Sequence, residues 1–165
     1  LPFKLVATVT AQEEVGERGA LIAAKQVNPD LAIVFEGCPA DDTAETPEMI
    51  QSAMGKGPML RYFDVSMITN PEFQEYALEI AKINKIPVQV SVRSGGGTNG
   101  MAITQVQGAP TIVVGIPVRY AHTPHCYVDF QDYQAAKELV IQLIKNLDAD
   151  KIQALVQPLS KEWNK

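Results

Sequence analysis

Five apolar runs alternate with stretches of helical spacing, and this alternation constrains the fold more than any other feature of the chain. The runs are Phe3–Thr10 (FKLVATVT), Leu31–Phe35 (LAIVF), Gly57–Val65 (GPMLRYFDV), Pro87–Val92 (PVQVSV) and Pro110–Ile116 (PTIVVGI). Each is too short for a core helix and most are rich in β-branched residues, so they read as strands, with Phe3–Thr10 fully buried. Between them, Arg18–Gln26 carries a small apolar face at Ala20, Leu21 and Ala24, and Asn28-Pro29-Asp30 stops it. Pro71–Asn84 opens on a proline, which the first helical turn tolerates, and repeats Phe73, Tyr76, Ala77, Ile80 and Ile83 as one buried stripe. A short helix is expected up to about Gln107, and Asp132–Leu147 reads as an amphipathic closing helix. Strands alternating with helices predict an α/β domain with a largely parallel sheet and helices on both faces. In such sheets, sites form at the carboxyl ends of strands.

At 165 residues the chain suits one domain with a real core. Its net charge of −5 argues against a nucleic-acid surface, which wants a basic patch. No stretch approaches the roughly 18 apolar residues of a membrane span. Two cysteines, Cys38 and Cys126, are too few for a disulfide framework; they point to a reducing cytoplasm and read as small buried hydrophobes. The chain opens on Leu1 and enters an apolar run at once, which reads as a fragment, and the tail beyond Pro158 is expected to fray.

Chemistry-bearing residues gather where these strands should end. The first run leads into Ala11–Ala20 (AQEEVGERGA), with Glu13 and Glu14 adjacent and two glycines turning the chain into a helix. Neighbouring side chains at a strand end point to opposite faces, so one carboxylate can ligate a metal while the other takes a proton from its water. A bare Glu-Glu pair, taken alone, is a solvated acidic turn. The second run ends on Glu36, followed by an acidic loop, Gly37–Asp42. Gly95, Gly97 and Gly100 match G-x-G-x-x-G, but no acidic residue occurs from Ala81 to Val128 to hold a ribose, which excludes a dinucleotide site. No Lys-Ser/Thr pair follows, so the loop is not a phosphate loop; it is either a turn or a loop whose amides face a substrate. His122 and His125 are spaced H-x-x-H beside Cys126, but Pro124 disfavours a helix there, and alone they read as hydrogen-bonded loop residues. No serine sits in a G-x-S-x-G elbow. Carboxylates at two strand ends with a histidine at a third suit zinc, cobalt or manganese.

Four ordered motifs, TVTAQEEVGERGA, VFEGCPADD, RSGGGTNG and IPVRYAHTP, resemble the dinuclear metallopeptidases of the glutamyl/deblocking aminopeptidase family. That family includes the tetrahedral aminopeptidases, and its members are often labelled endoglucanase or cellulase. The resemblance runs to about Leu147. It implies a three-layer α/β/α sandwich of the zinc-peptidase type, with a mostly parallel mixed sheet. Residues 1–150 would form a partial catalytic domain lacking its amino-terminal part, with 151–165 as a tail. By the same resemblance Glu13 is the general base acting on the metal-bound water, and Glu14 and His122 are ligands sharing one metal. Glu36 is the ligand of the second metal, where aspartate is common. Gly96, Gly97 and Thr98 are expected to be substrate-binding, and Asn99 stands where many relatives have Asp. His125 matches no ligand. The family's histidine ligand and bridging aspartate, and its inserted oligomerisation domain, lie upstream of these motifs and are absent here. The implied function is a cytoplasmic, homo-oligomeric, metal-dependent aminopeptidase that acts on peptides with two divalent ions, this stretch alone being inactive. Two other readings stand beside it: a non-catalytic domain that kept the fold, and a glycoside hydrolase using Glu13 or Glu14 with Glu36. His122 argues against the last.

Overall fold

The computed structural model describes residues 1–156. In chain order its elements are α1 (Arg18–Val27), β1 (Ala32–Pro39), β2 (Met59–Phe63), α2 (Pro71–Ile83), β3 (Gln89–Val92), α3 (Asn99–Gln107), β4 (Thr111–Arg119), β5 (Tyr127–Val128), α4 (Phe130–Asn146) and α5 (Ala149–Val156). The strands form one sheet in the order β1-β4-β2-β3, with β5 on β4. β1 and β4 run parallel, as do β2 and β3, whereas β2 and β5 are antiparallel to β4. The sheet is therefore mixed and mostly parallel. β4 is its axis, and Thr111–Gly115 are buried throughout because helices cover both faces.

On one face α2, α4 and α5 pack their apolar stripes over Leu60, Ile112 and Val114, with Phe73, Leu139, Leu143 and Leu155 in the same core. On the other, α3 lies against β1 and β4, and α1 packs on α3 through buried Ala20 and Ala24. A smaller core of Val34, Met67, Val113 and Ile103 fills that face. Local signals account for the helix starts. Asn70 accepts the Phe73 N–H at 2.8 Å with Pro71 at the first helical position, and Asp129 caps α4 by accepting from Gln131 N–H at 2.7 Å.

The structure departs from the sequence reading in four places. Phe3–Thr10 is not a buried strand: it carries no ladder, Leu5, Val6 and Val9 are exposed, and only Phe3 packs against the core. Apolar, β-branched residues form a strand only where a partner strand offers its backbone groups, and no described strand pairs with 3–10. β1 continues through Pro39 because β4 runs beside it to Val118, so Glu36 lies within a strand and not at its end. Residues 149–156, for which the sequence reading named no element, form a helix whose Leu155 is buried. Cys38 is buried as expected, but Cys126 is exposed, in the segment leading to the edge strand β5. The expected fraying beyond Pro158 lies outside the described residues. Among the described residues, no helix is long and apolar enough to cross a membrane.

Candidate active site

The acidic pair sits on a constrained turn. Gln12 (φ 63°), Gly16 (φ 106°) and Glu17 (φ 47°) are all left-handed and bracket a single 3₁₀ turn, Glu13–Val15. Glu13 O accepts from Gly16 and Glu17 N–H, and Ala11 O accepts from Gly19 N–H at 3.0 Å. At Gly19 the approach is so close that a Cβ would overlap the Ala11 backbone, so only glycine permits this closure onto α1. Successive side chains of a 3₁₀ turn point about 120° apart. Glu13 and Glu14 thus leave a turn about 120° apart, where opposite faces of a strand end were expected, and both line one cleft.

His122 comes from the far end of β4. Left-handed Tyr120 (φ 60°) and His122 (φ 62°) shape the turn after the strand, and Thr123 Oγ1 closes it by donating to Tyr120 O at 2.7 Å. The same end is anchored where Arg119 grips both oxygens of Asp42, at 3.0 and 2.8 Å. The turn brings His122 Nε2 to 2.9 Å from Glu14 Oε1, both side chains about 70% exposed.

Glu36 projects from the middle of β1 on the face covered by α3. Its Oε1 accepts the Asn99 N–H at 2.7 Å, in the first turn of α3. Burial pushes its carboxyl up to about 7, with the neighbouring Glu13 charge adding to the shift and the Asn99 bond and Arg61 opposing it. Glu13 is also raised, chiefly by burial and then by the charges of Glu14 and Glu17, against the pull of His122. A raised carboxyl is what a group that must collect a proton near neutral pH needs.

These groups open onto one cleft of about 590 Å³ lined by Glu13, Glu14, Glu17, Glu36, Arg61, Arg93, His122 and the glycine loop. Gly96 and Gly97 lie on it. Thr98 does not: it is fully buried and its Oγ1 accepts from Gly100 N–H at the start of α3, which turns it away from the cleft. Arg61, Arg93 and Glu17 were not anticipated. Arg61 had a visible signal, a lone charge inside the apolar run GPMLRYFDV, whereas Arg93 and Glu17 had none. Arg93 donates to Asp41 Oδ2 and Pro39 O, which ties the glycine-loop end of β3 to the end of β1.

Among the described residues, no three His, Cys, Asp or Glu side chains stand close enough to hold a metal together. Glu14 Oε1 and His122 Nε2 nevertheless present an oxygen and a nitrogen donor side by side, the pairing zinc and cobalt accept, so they fit part of a metal's shell. Glu36 is a separate carboxylate on the same cleft.

The family described as M42 glutamyl aminopeptidase matches residues 1–139. This chain belongs to the M42 family. It is 31% identical over 152 residues to the glutamyl aminopeptidase of Lactococcus lactis subsp. cremoris, covering 92% of this chain and 42% of that one. Among solved structures, the TET aminopeptidase of the marine sediment archaeon Thaumarchaeota archaeon SCGC AB-539-E09 superposes with a TM-score of 0.85 at 40% identity, over 89% of this chain and 42% of the other. The TET1 peptidase of Pyrococcus horikoshii, described as able to assemble into a tetrahedron or a large octahedral shell, superposes at 0.70 and 29% identity, over 84% and 40%. The M42 chain described here thus spans about two fifths of the length of the relatives it matches. Its mixed sheet between helix layers is the fold of these aminopeptidases.

Proposed function

We propose that this chain carries part of the catalytic centre of a metal-dependent aminopeptidase that removes amino-terminal residues from peptides. Glu13 is the general base, Glu14 and His122 hold one divalent ion, and Glu36 holds a second. When bound, the two ions, zinc, cobalt or manganese, would polarise the scissile carbonyl and acidify the attacking water. The chain's own residues do the rest. Glu13, its carboxyl raised by burial, takes the proton from the water and returns it to the leaving amine. Glu36 is held in place by the Asn99 amide. The Gly96–Gly97 backbone forms a wall of the cleft along which a peptide can lie.

The observation that carries this reading is the meeting of Glu14 and His122 at 2.9 Å on the same cleft as Glu13 and Glu36. Family membership supports the reaction class. We further infer a homo-oligomer, in line with the Pyrococcus horikoshii relative's assemblies, and a cytoplasmic site of action, in line with the two unpaired cysteines. The 165 residues alone are expected to have little activity, because they offer two donors to one ion and one to the other.

The test is hydrolysis of aminoacyl chromogenic substrates by the intact protein that contains this chain. Chelation should abolish turnover and added zinc or cobalt restore it. Glu13→Gln should lower kcat by roughly 10²–10⁴-fold with little change in KM. Turnover indifferent to chelator and to Glu13→Gln would refute the assignment. The second reading, a domain that kept the fold without the chemistry, is favoured by the absence of a three-donor group among the described residues. It predicts no metal binding by the intact protein.

A further inference from the structure

Arg61 is 4% exposed, yet it lies beneath the cleft on the sheet face that carries Glu36 and Cys38. β4 separates its strand, β2, from β1. At the β4 position in register with both Glu36 and Met59 stands Gly115, where a Cβ would overlap Cys38 Sγ and come within 3.2 Å of Met59 Cε. The bare backbone at Gly115 leaves room over the central strand, and Arg61 bridges that strand by donating from Nη2 to Cys38 Sγ at 3.1 Å. Its Nη1 donates to Asp64 Oδ2 at 2.9 Å, both side chains at most 5% exposed.

Asp64 carries the connection onward. Its Oδ1 accepts from Ser66 N–H at 2.7 Å, Ser66 Oγ at 2.6 Å and Met67 N–H at 3.0 Å. That turn backs the glycine loop: Ser66 Oγ stands 3.3 Å from where a Gly97 Cβ would be, and Met67 Sδ contacts Thr98 Oγ1 at 3.7 Å. One residue further, the Asn99 N–H holds Glu36. Arg61 therefore sits in a closed circuit that grips Glu36 twice, through its own strand at Cys38 and through the loop that bonds its carboxylate. An ion pair this buried costs desolvation that apolar side chains of similar volume would avoid, so packing alone does not account for it.

We propose that Arg61 is a positioning residue of this site, holding Glu36 in the orientation from which that carboxylate serves as a ligand. The inference rests on the aminopeptidase reading given above. Outer groups that orient a ligand typically change metal affinity or activity by about 10–100-fold when removed.

The test uses the intact protein, freed of metal, with Arg61→Met combined with Asp64→Asn so that no orphaned charge is left in the interior. Arg61→Lys is its partner, keeping the charge without the fork. Cobalt affinity is read by visible absorption, kcat and KM separately, and the melting temperature without metal. The expected result is cobalt binding weakened about tenfold or more, kcat lowered by about the same factor with KM within about twofold, and partial recovery in Arg61→Lys. Cobalt affinity and kcat within about twofold of wild type in the double variant would overturn the proposal. So would a loss that tracks a fallen melting temperature and is not recovered by Arg61→Lys. If wild type itself neither binds cobalt nor hydrolyses peptides, the aminopeptidase reading fails and takes this inference with it; if wild type does both and the variants match it, this inference alone fails.

Discussion

Glu14 Oε1 and His122 Nε2 stand 2.9 Å apart although 108 residues separate them in sequence. Both side chains are about 70% exposed, so as an ion pair they contribute little to stability, about 0–1 kcal/mol. Both arrive from segments with left-handed residues, Gln12 and Glu17 on one side, Tyr120 and His122 on the other. Strain of that kind clusters at functional sites. His122→Ala is therefore expected to leave the denaturation midpoint almost unchanged while removing metal binding. A large drop in the midpoint would show that the pair is a structural tie.

Glu36 should make the metal-free chain pH-sensitive. Its folded carboxyl is raised to about 7 from an ordinary 4.5, chiefly by burial, with Glu13 and Asp64 adding to the shift and Asn99 and Arg61 opposing it. A raised carboxyl contributes stability that is full below its unfolded value and is lost as pH climbs from about 4.5 through about 7. Glu36→Gln removes that loss. After allowance for the partly exposed position, the variant should gain about 1–2 kcal/mol on wild type at pH 8 and much less at pH 4.5. Urea titrations in chelator at the two pH values check this, and a gain equal at both would contradict it.

Gly19→Ala tests the turn that carries the acidic pair. The added Cβ would overlap the Ala11 backbone, which is held there by the Gly19 N–H bond. Overpacking against backbone costs about 1–3 kcal/mol, and here it should also displace Glu13 and Glu14. In the intact protein, activity should fall further than stability explains. Normal activity in Gly19→Ala would mean that the turn has another way to close.

Asp132 holds the long β1–β2 connection to α4. Its carboxylate is 1% exposed and accepts from Gly55 N–H at 2.6 Å and Gly57 N–H at 2.7 Å. Asp132→Ala leaves the buried Gly57 amide and the partly exposed Gly55 amide without their acceptor and should cost roughly 2–4 kcal/mol. The denaturant midpoint measures it, and a loss below about 1 kcal/mol would show that water or a neighbour replaces the carboxylate.

Much of this fold was legible in the residues, because local chemistry and burial pointed the same way. Pro71 marked the start of α2, Asn28-Pro29 the end of α1, and the apolar run at Pro110 the central strand. The same logic failed at Phe3–Thr10, where composition favoured a strand but no partner lay alongside. It failed again at β5, whose two residues are too few to register as a run. Glu13, Glu14, Glu36 and His122 were legible as candidates only through ordered motifs, since a bare Glu-Glu pair and a loop histidine mean little alone. Their convergence on one cleft depends on a 3₁₀ turn and two left-handed turns that no periodicity reveals. Thr98 was grouped with the loop glycines because a helix cap and a substrate contact look alike in sequence; its hydroxyl caps α3.

The central claim is that Glu14 and His122 form half of a metal site. Calorimetric titration of zinc and of cobalt into this chain, beside His122→Ala, tests it most directly. Micromolar binding by the wild-type chain that disappears in His122→Ala is the result expected. Binding that survives the substitution unchanged would contradict the claim, because the ion would then sit elsewhere.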